Sequence, residues 1–413
     1  MRTVLIFSAL LVVGLAGSQV LPAVAGGLHS PLEHIIRLGT MLCLAFIMIR
    51  VGLEFQIDKS NLRQYGWDYV VAFTAATFPW ILVAAYFVWV IIPSDPLASG
   101  QGWQEALIAG RFAAPTSAGV LFAMLAGAGL ASTWLFRKAR ILAIFDDLDT
   151  VLLMIPLKMM IVGLAWQLGI IGVAMIALLL VGYLFLNHLR WPTGWPWLLI
   201  YSAIITAISE KIYVVSKMID ADVPIHFEVL LPAFVLGVLL HPGHDPSEEM
   251  HGEPPAERRA ALLVSSVFMV LVGLSMPAIL TPVSGGADLD WATITLHVLV
   301  ITVLCNLGKM FPALCYRREA HWRERLAVAI AMWPRGEVGA GILIVSLSYG
   351  IGGDMITVAM LSLALNLALT GVFIWWVKAL ISPLADAERG DDRGAPSRLA
   401  MSPGSGTGAV LRT

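Results

Sequence analysis

Ile141–Leu157 reads ILAIFDDLDTVLLMIPL, and in it Asp146, Asp147 and Asp149 interrupt an otherwise apolar run. An acid at the centre of a membrane helix costs about 2.5–3.5 kcal/mol on insertion scales. Three so close together need a cation: a metal or ammonium ion held there, or a proton that replaces it, offsets the cost. Ion translocation is the function to which this stretch points. The blander reading is that the acids cap or pair with neighbouring helices in a packing role alone.

The surroundings have the composition of a membrane protein. The chain is 58% hydrophobic and only 13% charged, with a mean hydropathy of +0.82, which excludes a soluble domain of ordinary composition. Apolar runs of about 20 residues occur twelve times, at 4–24, 35–55, 67–92, 104–130, 139–165, 168–188, 195–220, 226–241, 260–280, 292–316, 325–350 and 354–382. They predict an all-α polytopic membrane protein of about 12 transmembrane helices. Tryptophans such as Trp67, Trp134, Trp195, Trp291 and Trp322 stand at the proposed ends, where an amphipathic ring prefers the interface. Cys43, Cys305 and Cys315 have no metal or CxxC spacing and argue for neither disulfides nor a redox site. There is no activated serine or cysteine and no HExxH on which hydrolysis could rest. No enzyme activity, cofactor or nucleic-acid partner is expected; membrane lipid is.

Basic residues fall in alternate loops. One set holds Lys59 and Arg63, then Arg137, Lys138 and Arg140, then Arg190, Arg258 and Arg259, then Arg317, Arg318, Arg323 and Arg325; the other holds only Lys217. By the positive-inside rule the first set is cytoplasmic. The transmembrane domain is expected over 1–383, and 384–413, rich in Gly, Ser, Pro and charge, as a disordered cytoplasmic tail. The Gly404–Gly408 run lacks the strand and helix of a phosphate loop. Residues 1–25 also have the basic start, short apolar centre and small-residue end of a signal peptide. The reading adopted is a retained first helix, which places both termini in the cytoplasm.

Depth decides which residues can meet. Asp146 and Asp147 lie six and seven positions beyond Arg140, and Lys309 lies eight before Arg317. At 1.5 Å per residue all three are about 9–12 Å from the same face. A salt bridge between Lys309 and one of the aspartates is therefore geometrically available, the alternative being a lysine that snorkels to the surface. Two segments carry helix breakers near the midplane: Gly110-Arg111-Phe112-Ala113-Ala114-Pro115-Thr116-Ser117, and Met332-Trp333-Pro334-Arg335-Gly336-Glu337-Val338-Gly339. Proline removes a donor and disfavours helix in the residue before it. Broken helices in corresponding halves of a chain point to a transporter's ion site.

With these stretches quoted, the chain over about 30–382 resembles the membrane domain of the monovalent cation:proton antiporter superfamily, of the sodium/proton exchanger type. The resemblance is carried by Gly52-Leu53-Glu54-Phe55, Ala114-Pro115-Thr116-Ser117, Phe145-Asp146-Asp147-Leu148, Ala233–Leu240, Val272-Gly273-Leu274-Ser275-Met276, Gly308-Lys309 and Pro334–Gly339. It implies an inverted-repeat fold with two broken, crossing helices, a dimerisation domain beside a mobile core, and a homodimer. By position, Asp147 resembles the ion-binding aspartate, Asp146 its partner, and Lys309 the lysine that pairs with the site. Asp146 and Asp147 would then hold the transported metal cation. Thr116 and Ser117 would sit at one break; Arg335 and Glu337 resemble a charged pair supporting the other. The paired-aspartate form resembles the electrogenic branch. Asp149 and Lys158 are not part of the usual motif, and Lys158 is an alternative counter-charge.

The function expected is exchange of a monovalent cation, sodium first, for protons across a bacterial inner membrane. Potassium/proton efflux and a non-transporting sensor on the same fold are the alternatives. Glu210, Lys211 and Glu228 are expected to form structural pairs, and Arg37 and Arg111 to be interface or helix-end charges. The His241–His251 loop has the residue types of a metal site but reads as solvated loop.

Overall fold

The structure, a computed structural model, describes residues 2–25, 29–53, 62–92, 100–162, 166–186, 188–219, 229–241, 254–276, 290–349 and 351–394. In chain order the helices are α1 (Arg2–Ala25), α2 (His29–Leu53), α3 (Leu62–Tyr86), α4 (Gly100–Gly110), α5 (Ala118–Gly127), α6 (Trp134–Val162), α7 (Trp166–Leu184) and α8 (Trp195–Ile219). They continue as α9 (Leu230–Leu239), α10 (Pro255–Leu274), α11 (Trp291–Gly308), α12 (Pro312–Cys315), α13 (Trp322–Ala331), α14 (Glu337–Ser348) and α15 (Gly353–Gly394). Among the described residues there is no strand beyond one isolated bridge between Leu189 and Leu240.

Each of the twelve apolar runs is helical, and three are interrupted. The fourth splits into α4 and α5, the eleventh into α13 and α14, and the tenth ends α11 at Gly308 before the short α12. Among the described residues seven spans are apolar and long enough to cross a membrane. The 29-residue α6 has the length too, but it carries the acids in its middle. The outer faces of α7 and α8 present Val173, Ile176, Leu180, Ile200, Ile204 and Ile208 as exposed apolar side chains, as lipid-facing helices should. The first segment is a packed helix: Val4, Phe7 and Leu11 of α1 are buried.

Two glycine pairs fix the scaffold. A Cβ on Gly14 of α1 would collide with the carbonyl of Val270 in α10, and one on Gly273 with the carbonyl of Leu11. The same relation recurs between α2 and α9, where Gly52 lies on the carbonyl of Phe234 and Gly237 on that of Ile49. In each pair the glycine meets the carbonyl three residues before its partner glycine. Small residues let backbones approach this closely in a membrane, where packing replaces the hydrophobic effect between helices. The two crossings are counterparts: α1 and α2 correspond to α9 and α10, α3 to α11, broken α4–α5 to broken α13–α14, and α6 to α15. This is an inverted repeat, with α7 and α8 between the halves. The main core runs through both halves, and a smaller cluster of Ile171, Met175, Leu231 and Val235 joins α7 to α9.

Some expectations shift. Helix α15 runs past Pro383 to Gly394, into the stretch expected to be disordered, because Ala, Glu and Arg there extend an existing helix without a new nucleus. The rest of the tail, Glu228 and residues 242–251 of the histidine loop lie outside the described residues, and His241 is exposed. Arg37 pairs with Glu210 at 2.6 Å and lies over the Tyr213 ring, joining α2 to α8. Lys211 is exposed.

Gly52→Ala is expected to destabilise the protein by about 1–3 kcal/mol through overpacking. Gly66→Ala, whose Cβ would meet nothing within 4 Å, should be neutral or slightly stabilising. Thermal midpoints in detergent check both; equal midpoints for the two variants would contradict the close crossing.

Candidate functional site

The two helix breaks lie against each other. Ser117 N donates to Pro334 O at 2.9 Å, Thr116 Oγ1 donates to Met332 O at 3.0 Å, and Arg335 Nε donates to Ala113 O at 3.0 Å. Pro115 and Pro334 cannot donate to the carbonyls four residues back; those of Arg111 and Ile330 accept instead from Ala114 N at 3.1 Å and Trp333 N at 3.0 Å, and the opposite break supplies donors to Ala113, Met332 and Pro334. Gly336 sits where a Cβ would be 3.0 Å from Ser117 Oγ, so the breaks cross at near contact.

Charge at the crossing is distributed by helix polarity. The ends of α4 and α13 present carbonyls, the negative ends of their dipoles. Fully buried Arg335 answers them: besides Ala113 O it donates through Nη1 to Trp333 O at 2.9 Å and to Asn306 Oδ1 at 3.0 Å, and through Nη2 to Cys305 O at 2.7 Å. The start of α5 presents N–H groups, and there a carboxylate is favoured. Thr116 N donates to Asp146 Oδ2 at 2.7 Å.

Lys309 completes this arrangement. Its Nζ lies 2.7 Å from Asp146 Oδ2, both side chains being 0% exposed, and it donates to Thr116 Oγ1 at 2.9 Å. The threonine hydroxyl thus accepts a hydrogen bond from Lys309 and donates one to Met332 O. Gly308 makes the position available: a Cβ there would be 2.6 Å from the backbone of Pro79 in α3, so only glycine lets α11 end against α3 and turn Lys309 inward. Full burial and a direct carboxylate contact rule out the snorkelling alternative.

The other acids differ in direction. Asp147, one residue on, is 4% exposed and projects about 100° around the helix from Asp146. Asp149, 1% exposed, faces the Tyr69 phenol. Among the described residues no three His, Cys, Asp or Glu side chains converge as a metal cluster, so Asp146, Asp147 and Asp149 are not a three-carboxylate cage. Ser117 is buried at the break. Glu337 opens α14, but its side chain, like that of Lys158, lies outside what the structure describes. The expected Arg335–Glu337 pair therefore falls outside the described residues; Lys158 stands twelve residues from Asp146, about 18 Å along α6.

Two charged residues are more deeply placed than their positions in the sequence imply. Arg111 stands at a helix end, directly after α4, but it is 0% exposed and not interfacial, stacked on the Trp80 ring at 4.7 Å, with Nη2 donating to the Asp149 carbonyl at 2.9 Å. Lys138, counted with the loop charges, is buried against Asp68 of α3 at 3.0 Å and Glu319 at 3.0 Å. Tyr316 donates to the same Asp68 at 2.7 Å; burial and that carboxylate push its hydroxyl well above the usual phenol range, so it stays a donor. This network ties α3 and α6 to the connection between α12 and α13. The only sequence signal for either residue was position: Arg111 immediately precedes a proline break, and Asp68 sits near the start of an apolar run.

Breaking a buried ion pair by removing one partner typically costs about 3–5 kcal/mol, because the survivor stays buried. Lys309→Met should lower stability by that order, and adding Asp146→Asn should recover much of the loss. A double-mutant cycle on thermal unfolding measures it; additive losses would mean that the two side chains do not act as a pair.

The sequence matches the family model described as sodium/hydrogen exchanger, transmembrane, over residues 3–379. No curated protein matches it. Among solved structures, the sodium proton antiporter MjNhaP1 from Methanocaldococcus jannaschii, at pH 8, superimposes with a TM-score of 0.52 at 15% identity, covering 89% of this chain and 92% of that one. At that identity the likeness is one of fold.

Proposed function

The chain belongs to the sodium/hydrogen exchanger family, and on that premise we propose that it exchanges sodium for protons at the crossing of the two broken spans, by alternating access. The observation that carries this reading is the buried contact of Lys309 with Asp146 beside a helix N-terminus. A carboxylate in that setting is neutralised by an ammonium, by a proton or by a small cation, and the three exclude one another. Asp147 is the cation-binding acid in this reading, Asp146 its partner, and Thr116 and Ser117 supply neutral oxygens at the break.

Coupling follows from competition. A site that is empty and charged is costly to carry through the bilayer core, whereas an occupied or protonated one is not. The core therefore moves when the acids hold a cation or protons and stalls otherwise. The reading includes a homodimer in the bacterial inner membrane, supported by family membership.

In proteoliposomes, adding sodium is expected to drive proton flux, compared against lithium and potassium. Asp147→Asn should abolish that flux and Asp146→Asn should impair it severely; sodium-driven flux surviving in Asp147→Asn would overturn the assignment. An imposed membrane voltage should alter the rate, since paired carboxylates with a lysine move net charge.

A further inference from the structure

Three helices end with their carbonyls toward one guanidinium. Arg335 donates through Nε to Ala113 O beyond the end of α4, through Nη1 to Trp333 O beyond the end of α13, and through Nη2 to Cys305 O in the last turn of α11. A helix leaves its last four carbonyls without helical partners and carries partial negative charge there. Three such ends in one place call for a cation that cannot lose its proton, which arginine is. The third end differs from the other two. On α11 the guanidinium also meets a side chain, Nη1 donating to Asn306 Oδ1 at 3.0 Å. The amide of Asn366 on α15 lies farther off, at 3.5 Å, with its own Nδ2 donating to Ser362 O at 3.1 Å.

Asn306 stands three residues before Lys309. Its carbonyl accepts from Lys309 N at 3.2 Å and its side chain accepts from Arg335, so one residue joins the guanidinium to the turn from which Lys309 leaves α11. The other side of that turn is held by Pro79, whose backbone lies against Gly308. With the backbone fixed from both sides, the ammonium reaches Asp146 Oδ2 at 2.7 Å and Thr116 Oγ1 at 2.9 Å. A lysine side chain is flexible, and holding it in one geometry costs conformational entropy. A backbone fixed in advance lowers the cost of making the contact, as preorganisation does in any association. The contribution of Asn306 to the ion pair is therefore indirect, through the clamp and the turn.

We propose that Asn306 is a positioning residue of the exchange: by fastening Arg335 to the last turn of α11 it keeps Lys309 in place on Asp146, and so sets how much sodium is needed to displace it. This rests on the exchange reading above. In that reading the ammonium and the cation exclude each other at Asp146, so a well-held lysine raises the sodium concentration that half-fills the site and a loosely held one lowers it. Damage to the site gives the opposite sign, because a disordered cation site binds more weakly.

The test is half-saturating sodium at one fixed pH for wild type, Asn306→Ala, Lys309→Met and the double variant. It is read from the sodium dependence of the thermal midpoint in detergent and from proton flux in proteoliposomes. Half-saturating sodium is expected to fall about two- to tenfold in Asn306→Ala, the worth of one hydrogen bond. With Lys309→Met already present the same substitution should change nothing. Ser362→Ala removes a bond to Val298 O, farther along the α11–α15 contact, and should lower the midpoint without moving half-saturating sodium. Asn306→Leu, which fills the space without an acceptor, takes the place of Asn306→Ala should that variant not fold. An unchanged or weaker sodium affinity in Asn306→Ala, or an equal gain in the Lys309→Met background, overturns this proposal and leaves exchange standing. A wild type that neither binds sodium nor moves protons overturns both.

Discussion

A carboxylate and an ammonium 2.7 Å apart, neither with any contact with solvent, are the constraint around which the rest of this molecule is arranged. Such a pair needs further hydrogen bonds to offset the loss of solvent. The protein supplies some of them, to Asp146 Oδ2 and to the free carbonyls around it, by ending helices at the pair. The N-terminal side of α5 offers Thr116 N to Asp146, and the carbonyl ends left by the breaks are taken up by Arg335. Proline is what makes those helix ends available at mid-depth, so Pro115 and Pro334 supply the site with its electrostatics as well as its shape.

The scaffold is symmetric where the site is not. Both glycine crossings place a glycine on the carbonyl three residues before its partner, as an inverted repeat requires. At the position where α6 carries Asp146, with Thr150 donating to its carbonyl at 2.8 Å, α15 carries Asn366, with Thr370 donating to its carbonyl at 3.1 Å. The local hydrogen bond persists and the charge does not. One half therefore holds an acid facing a lysine, and the other a neutral amide near Arg335. A repeat that was symmetric in charge would bury a second carboxylate and need a second cation to meet it.

Most of the fold was legible because membrane spans announce themselves by length and proline breaks by chemistry. The meeting of Lys309 with the α6 acids was legible from depth, since both are counted from the same charged face. Which acid it meets was not: Asp146 and Asp147 share a depth and differ only in direction around the helix, and the helix rotation is set by packing against α3 and α13. Arg111 looked like an interfacial charge because a buried arginine and an interfacial one read identically in a single sequence. Lys138 was assigned to a loop on the strength of its neighbours Arg137 and Arg140; its partner Asp68 lies seventy positions away, beyond the reach of any local pattern.

Three of the buried cations lie at the crossing of the breaks, Arg111, Arg335 and Lys309, and they differ in chemistry. Arginine keeps its proton under any condition a protein meets, whereas lysine is the basic side chain that burial can drive to release one. Two of the three positions, Arg111 and Arg335, are arginines that touch no carboxylate oxygen of the described side chains through a hydrogen bond. The third, Lys309, binds Asp146 directly. The side chain able to change its charge is thus placed on the acid, and the side chains with constant charge are placed around it. An arginine at 309 would answer Asp146 at least as well in hydrogen bonds, but it would replace a base that can yield a proton with one that keeps it.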